Sequence, residues 1–279
     1  MIALYIVLGF LSLIVILLLI ALVHTMFVKV PKEEKPLDID FSKANSYAKR
    51  FSEMIKVKTI SYNKKEDNYE NFVKLKEVMK GLFPKVFETM EIKEFPGESL
   101  ILKWSGKSSN KPLVLMSHID VVPAVDNAWD YPPFSGKIVD GTIYGRGTLD
   151  TKSTVYCFYQ ACEELIESGY IPDNDVYLAS STDEETSGFG ASLTVEWLKD
   201  NGVKPFLVVD EGGTVLSDAL PSMKRPMAVV GILEKGYVDI KLTAKSFGGH
   251  SSTPPKNTPI ARLSKFVSDV EGKFPLKTK

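Results

Sequence analysis

The feature that most constrains this chain is how its apolar runs end. Leu113 to Met116, Asp175 to Ser181, with Val176, Leu178 and Ser180 on alternate positions, and Phe206 to Val209 each read as a strand. Each gives way to residues that ionise or bind metals: His118 and Asp120 after the first, Asp183, Glu184 and Glu185 after the second, Asp210 after the third. Helical spacing fills the intervals, over Thr151 to Ser168 with Val155, Phe158, Tyr159, Cys162, Leu165 and Ile166, and from about Ala191 to Asn201 with Leu193, Trp197 and Leu198. Alternating strands and helices imply an α/β fold, a mostly parallel twisted sheet flanked by helices. In such sheets ligands bind beyond the carboxyl ends of the strands. Asp150 stands at the start of the helix over 151–168 and so belongs to the same edge. Taken one at a time, these residues have plainer explanations: a hydrogen-bonded His at a strand end, an Asp150 N-cap, a solvated acidic loop. Together they place one imidazole and several carboxylates at one edge, a donor set that suits a borderline divalent ion such as zinc. Two ions about 3.5–4 Å apart, bridged by one carboxylate, would make a two-metal hydrolase site.

The N-terminus follows different rules. No charged side chain occurs from Met1 to Val28, and Ile2 to Val23 is almost wholly aliphatic. At about 1.5 Å per residue it is long enough to cross a bilayer. It exceeds the ~7–15-residue apolar region of a cleaved signal and lacks a basic start, so it reads as an uncleaved, single-pass anchor. His24 lies at its end, with no catalytic part. Lys29, Lys32 and Lys35 follow it and, by the positive-inside rule, would put the body on the cytoplasmic side. Elsewhere the composition is that of a globular protein: 44% apolar, 25% charged, net charge −1, which argues against a nucleic-acid partner. The two cysteines, Cys157 and Cys162, fall five apart in one helix and point in different directions, so no disulfide scaffold is expected.

Between anchor and sheet, a short charged linker leads to apolar residues at helical spacing from Phe41 to Ile55, with Asp40 or Ser42 as the expected N-cap. A second amphipathic helix runs over Phe72 to Leu82 and ends at Gly81 and Pro84. Val86 to Phe95 and Ser99 to Trp104 are expected strands joined by a Pro96-Gly97 turn, and Ile138 to Tyr144 a strand pair around Asp140-Gly141. Gly145-Arg-Gly-Thr-Leu-Asp-Thr-Lys152 signals tight backbone approach; it is not a complete phosphate-binding loop.

With these motifs in view, the chain resembles the co-catalytic di-zinc peptidases that include carboxypeptidase S, the aminoacylases, glutamate carboxypeptidase and succinyl-diaminopimelate desuccinylase. Five motifs occur in order: Ser117-His-Ile-Asp-Val-Val-Pro123, the Trp129 to Gly136 loop, Gly145 to Lys152, Asp183-Glu-Glu185 and Asp210-Glu-Gly212. The aromatic loop and the Asp-Glu-Gly motif are most similar to the carboxypeptidase S branch. Position by position, the resemblance implies that His118 and Asp210 bind one zinc, Asp150 bridges two, and Glu185 binds the second. Glu184 is the implied general base, moving a proton from the attacking water to the leaving nitrogen, and Asp120 holds His118. A cis peptide bond is implied between Asp150 and Thr151. Phe247-Gly-Gly-His250-Ser-Ser-Thr-Pro-Pro255 matches the lid motif, in which the histidine donates a hydrogen bond to the developing oxyanion, in several relatives across a dimer.

The expected domains are then an anchor over 1–28, a linker over 29–40, a catalytic α/β domain over 41–228 and a partial α+β lid or dimerisation domain over 229–279. The lid would open with alternating Val238, Ile240 and Leu242, and its first helix would span Pro259 to Lys273. The family's last zinc ligand is a histidine in a segment that returns from the lid. Here the histidines are His24, His118 and His250, so the catalytic domain is expected to be C-terminally incomplete, with one strong zinc site of the family's two. The resulting expectation is a membrane-anchored zinc hydrolase that cleaves an amide next to a free carboxylate, in a short peptide or an N-acyl amino acid. The alternative is an inactive remnant that binds at most one metal or a partner. The lysines after the anchor and the family analogy point to opposite sides of the membrane, and the topology stays open between them.

Overall fold

The computed structural model describes residues 2–27, 40–62, 68–217, 226–233 and 240–271. It divides into two compact units, residues 1–211 and 212–279. Val238 and the end of the expected lid helix beyond residue 271 lie outside the described residues.

The first unit opens with helix α1 (Ile2–Met26). It is the one helix among the described residues long and apolar enough to cross a membrane, by length and composition. The sheet has five strands: β1 (Glu91–Glu94), β2 (Leu100–Trp104), β3 (Leu113–His118), β6 (Val176–Ser181) and β7 (Leu207–Val209), in the spatial order β1-β2-β6-β3-β7. β1/β2 and β2/β6 pair antiparallel, whereas β3 pairs parallel with both β6 and β7. The sheet is therefore mixed, and its parallel half carries the ionisable strand ends. A separate hairpin, β4 (Lys137–Val139) with β5 (Thr142–Tyr144), turns through Asp140 and Gly141, both at positive φ.

Alternation along the strands separates two cores. Leu100, Leu102, Trp104 and Leu178 face helices α2 (Ala44–Ile55), α3 (Tyr69–Leu82), α4 (Pro84–Thr89) and α5 (Lys152–Glu167). Ile101, Val114, Tyr177 and Ala179 face α6 (Gly190–Asp200) through Trp197 and Leu198. Period-two burial of this kind is what a sheet covered on both faces requires. The aromatic pairs Phe83–Tyr156 and Phe83–Tyr159, with ring centroids 5.7 and 5.5 Å apart, lock α4 onto α5.

Two local expectations are corrected. The stretch from Val86 to Thr89, expected to begin a strand, is helical: α4 runs over Pro84–Thr89, and only Glu91–Glu94 is strand. Pro84 opens the helix at a position where it needs no N–H. The buried Glu163 carboxylate then accepts hydrogen bonds from Lys85 N and Val86 N, at 3.0 and 2.8 Å. A partner 77 residues away thus supplies the cap. At α2 the N-cap is Lys43, not Asp40 or Ser42, and Asp40 instead accepts from Ser42 N at 2.8 Å.

The second unit contains the hairpin β8 (Thr214–Leu216) with β9 (Met227–Val229) and helix α7 (Pro259–Val270), capped by Thr258. Ile240 and Leu242 lie in a segment without strand pairing.

Candidate metal centre

β3 delivers His118 to the sheet edge, where the ring is 2% exposed. The backbone turns at once, because Val121 N donates to Thr59 O and Ser61 N donates to Val121 O. This leaves Asp120 fully buried beside the ring it follows. His118 Nδ1 lies 2.9 Å from Asp120 O and 3.2 Å from Asp120 Oδ1, so that nitrogen carries the proton and donates it. With Nδ1 engaged by Asp120, Nε2 is the nitrogen that faces the acidic groups, where a metal ion would take the place of its proton. Nε2 is 3.0 Å from Asp150 Oδ1, 3.2 Å from Glu211 Oε2 and 3.8 Å from Glu184 Oε2.

Each carboxylate reaches this point from a different element. Asp150 precedes α5, and the Asp150–Thr151 peptide bond is cis, as the resemblance implies. Glu184 and Glu185 form a 3-10 turn after β6; their backbone N–H groups donate to Asp120 Oδ1 and Oδ2 at 3.2 and 3.1 Å. One buried carboxylate therefore orients the imidazole and holds the acidic turn in place. The third acid of that run, Asp183, has a different task. It is buried and accepts from Phe189 N and Gly190 N at 2.9 Å each, so it caps α6. At Gly188 a Cβ would collide with the Asp183 carboxyl group, which explains the glycine there.

Two groups of side chains could hold a cation: His118 with Glu184 and Glu211, and His118 with Asp150 and Glu185. In each, one donor atom per residue lies within 4.8 Å of the others. The electrostatics match. Burial and mutual repulsion raise the carboxyl pKa of Glu184, Glu185 and Glu211, with His118 acting in the opposite direction. Burial disfavours the His118 imidazolium, but the Asp120 hydrogen bond and the charges of Asp120 and Glu211 outweigh it and raise its pKa to about 10. Acids that repel one another around one imidazole form a site whose donor chemistry fits a divalent cation.

Of the residues singled out from the sequence, His118, Asp120, Asp150, Glu184 and Glu185 come together. Asp210 follows β7 and is close enough for its charge to raise the pKa of Glu184 and Glu211. Its neighbour Glu211 brings Oε2 to 3.2 Å from His118 Nε2, and the Glu211 N–H donates to Asp210 Oδ1 at 2.8 Å. Glu211 was legible only as the middle of the Asp-Glu-Gly motif; side-chain direction decides which acid points inward. His250 belongs to the second unit, where its Nδ1 lies 2.8 Å from Ser252 Oγ. Lys152 went unassigned in the sequence. It is fully buried, donates to Met54 O and Val57 O at 3.1 and 2.8 Å, and ties the end of α2 to the start of α5. Burial pulls its pKa down to about 7.

Fold and donor set define a class: α/β proteins that gather carboxylates and an imidazole for a divalent ion at the carboxyl ends of parallel strands. The chain belongs to peptidase family M20/M25/M40, whose family model matches residues 114–273. Members of this family are generally metal-dependent peptidases and amidohydrolases. Among curated relatives, the chain is 42% identical over 221 residues to the bovine protein named N-fatty-acyl-amino acid synthase/hydrolase PM20D1, covering 78% of this chain and 44% of that one. It is 38% identical over 236 residues to probable carboxypeptidase S-like 2 of Dictyostelium discoideum, covering 82% and 46%. The chain thus spans about half the length of the curated relatives it matches. Among solved structures, the Saccharomyces cerevisiae dipeptidase Dug1p superposes with a TM-score of 0.51 at 16% identity, over 63% of this chain and 40% of that one. The metallo-carboxypeptidase Sso-CP2 of Sulfolobus solfataricus superposes with a TM-score of 0.50 at 23% identity, over 60% and 37%. Both likenesses concern the fold.

Proposed function

We propose that this chain is a membrane-anchored, zinc-dependent hydrolase that cleaves an amide beside a free carboxylate, in an N-acyl amino acid or a short peptide. The observation that carries this reading is His118. Its Nδ1 is tied to Asp120 and its Nε2 faces Asp150, Glu184 and Glu211 within 3.0–3.8 Å. His118 and Asp210, with Glu211 alongside, would hold the first zinc, Asp150 would bridge, and Glu185 would hold the second. When bound, zinc polarises the scissile carbonyl and lowers the pKa of the attacking water toward ~7. Glu184 would take the proton of that water and pass it to the leaving nitrogen; burial, with the neighbouring acids, raises its pKa, which suits a group that must both accept and release a proton. Asp120 is a positioning residue that fixes both His118 and the Glu184–Glu185 turn. His250, in its Gly-Gly-His motif, would donate a hydrogen bond to the developing oxyanion, and the unit that carries it would form a homodimer contact. Helix α1, about 37 Å long at ~1.5 Å per residue, would anchor the chain across a ~30 Å hydrocarbon core. The names of the curated relatives support the N-acyl amino acid and carboxypeptidase choices.

A second reading has its own observation. Both cation-holding groups share His118 as their only imidazole, and catalytic zinc ordinarily has three good protein ligands. The chain would then bind one ion tightly, without turnover. Hydrolysis of N-acyl amino acids by the zinc-loaded chain, lost by ~10²–10⁴-fold in Glu184→Ala with zinc content unchanged, is the outcome expected of the hydrolase. No turnover, with a single zinc per chain by mass analysis, would leave the second reading standing.

A further inference from the structure

We propose that a cavity beside the acidic turn receives the acyl chain of an N-acyl amino acid; this rests on the hydrolase reading above. The cavity holds about 190 Å³ and is walled by Ile60, Tyr62, Phe72, Thr186, Gly188 and Phe189. It is built on the two segments that make the metal centre. Asp183 and Thr186 line it and flank Glu184 and Glu185, so its wall begins one residue from Glu185, a step of ~3.8 Å between Cα atoms. Ile60 bridges to Val121, one residue past Asp120.

Its wall is mixed, with the apolar surface of Ile60, Phe72, Phe189 and the Tyr62 and Tyr69 rings predominating and several polar atoms engaged elsewhere. Tyr69 OH donates to Glu98 Oε1 at 2.5 Å, and Thr182 Oγ1 donates to Gly97 O at 2.6 Å. The Asp183 carboxylate is turned to the first turn of α6. Ser61 Oγ alone on this wall is buried without a hydrogen-bond partner among the described residues, which leaves a place for one water. Among the described residues no lysine or arginine lines the cavity. An apolar cavity of ~150 Å³ accommodates a benzene molecule, so this one takes a run of methylenes or a ring. Phe189 and Tyr62, 68% and 44% exposed, stand where their removal would open the wall without emptying the core.

The test uses the full chain, zinc-loaded in lipid nanodiscs, with N-acyl glycines from acetyl to dodecanoyl and an N-octanoyl glycine carrying a diazirine at its chain end. Affinity should rise about fourfold per added methylene, then level off once the cavity is full. Photolysis should label peptides containing Ile60, Tyr62, Tyr69, Phe72 or Phe189, and unlabelled N-octanoyl glycine should compete. Tyr62→Ala/Phe189→Ala should flatten the chain-length series while leaving N-acetyl glycine affinity unchanged, and Phe189→Trp should retain it. Labelling elsewhere, α1 included, or none, overturns the proposal. So does labelling of the cavity by a diazirine on the amino acid side chain in place of the acyl end. Absence of turnover with the cavity labelled would instead refute the hydrolase reading and leave the acyl site intact.

Discussion

Asp120 shows how much one buried side chain decides. Its carboxylate meets His118 Nδ1 and the N–H groups of Glu184 and Glu185, so imidazole and acidic turn have a common support. Asp120→Asn keeps the shape, removes the charge that favours the proton on Nδ1, and replaces one acceptor oxygen by a donor that faces an N–H. Loss of such a support costs ~10–100-fold in metal affinity. Zinc titration against a chromophoric chelator should show a weakening of that size in Asp120→Asn, with the helical circular dichroism of the native chain. An unchanged affinity would remove Asp120 from the positioning role.

Among elements, α3 is joined to the β1–β2 turn by a charge cluster outside the metal centre. Lys76 pairs with Glu98 and, at 3.1 Å, with Glu94, while Tyr69 donates to Glu98; the Lys76 and Glu98 side chains are only 11% and 10% exposed. Burial opposes both charges, but their mutual hydrogen bond and, for Glu98, that of Tyr69 outweigh it. The Glu98 pKa falls below 4.5 and the Lys76 pKa rises above 10.5. The depressed Glu98 contributes stability that is present above its unfolded value and lost as pH falls through its folded one. The raised Lys76 contributes stability that is present below its unfolded value and lost as pH climbs through its folded one. The pair therefore stabilises between about pH 4.5 and 10.5 and fades beyond either end. Removing one partner of a buried pair costs about 3 kcal/mol. Urea unfolding at pH 7 should show such a loss in Lys76→Met and a smaller one in Lys76→Met/Glu98→Gln, where no orphaned charge remains. Equal losses would mean that the pair contributes packing alone.

For the whole molecule, two separable forces are at work. Burial and mutual repulsion oppose the charged forms of Glu184, Glu185 and Glu211 at the sheet edge, and a bound cation would relieve that opposition. Zinc that binds only the folded state raises its stability by about 2.7 kcal/mol at a hundredfold excess over Kd. Thermal unfolding followed by circular dichroism should shift upward with zinc and downward with a chelator, and the shift should vanish in His118→Ala. Helix α1 acts independently. Its apolar side chains are exposed along its length, and none of the described contacts of the metal centre involves it. Deletion of residues 2–27 should move the chain from the carbonate-resistant membrane fraction to the supernatant without altering zinc stoichiometry. Retention in the membrane fraction would require another anchor.

What could be read from the order of residues was what local periodicity and end chemistry carry. Apolar runs ending in His118, Glu184 or Asp210 specify strands and an edge, and the uncharged span from Ile2 to Val23 specifies a long apolar helix. Tertiary structure decided the rest, because it supplies partners that are distant along the chain. Glu163 made a helix start at Pro84 where the apolar pattern indicated a strand. Asp183 was drawn into capping α6, leaving Glu184 and Glu185 for the metal centre. Glu211 came to 3.2 Å from His118 as a neighbour of Asp210, since direction at the end of β7 follows from the backbone turn and not from residue type. Lys152 was buried against two helix-end carbonyls that only packing could bring to it. Pattern determines what an element is; the hydrogen bonds and charges of its neighbours determine where it begins and which of its side chains face the site.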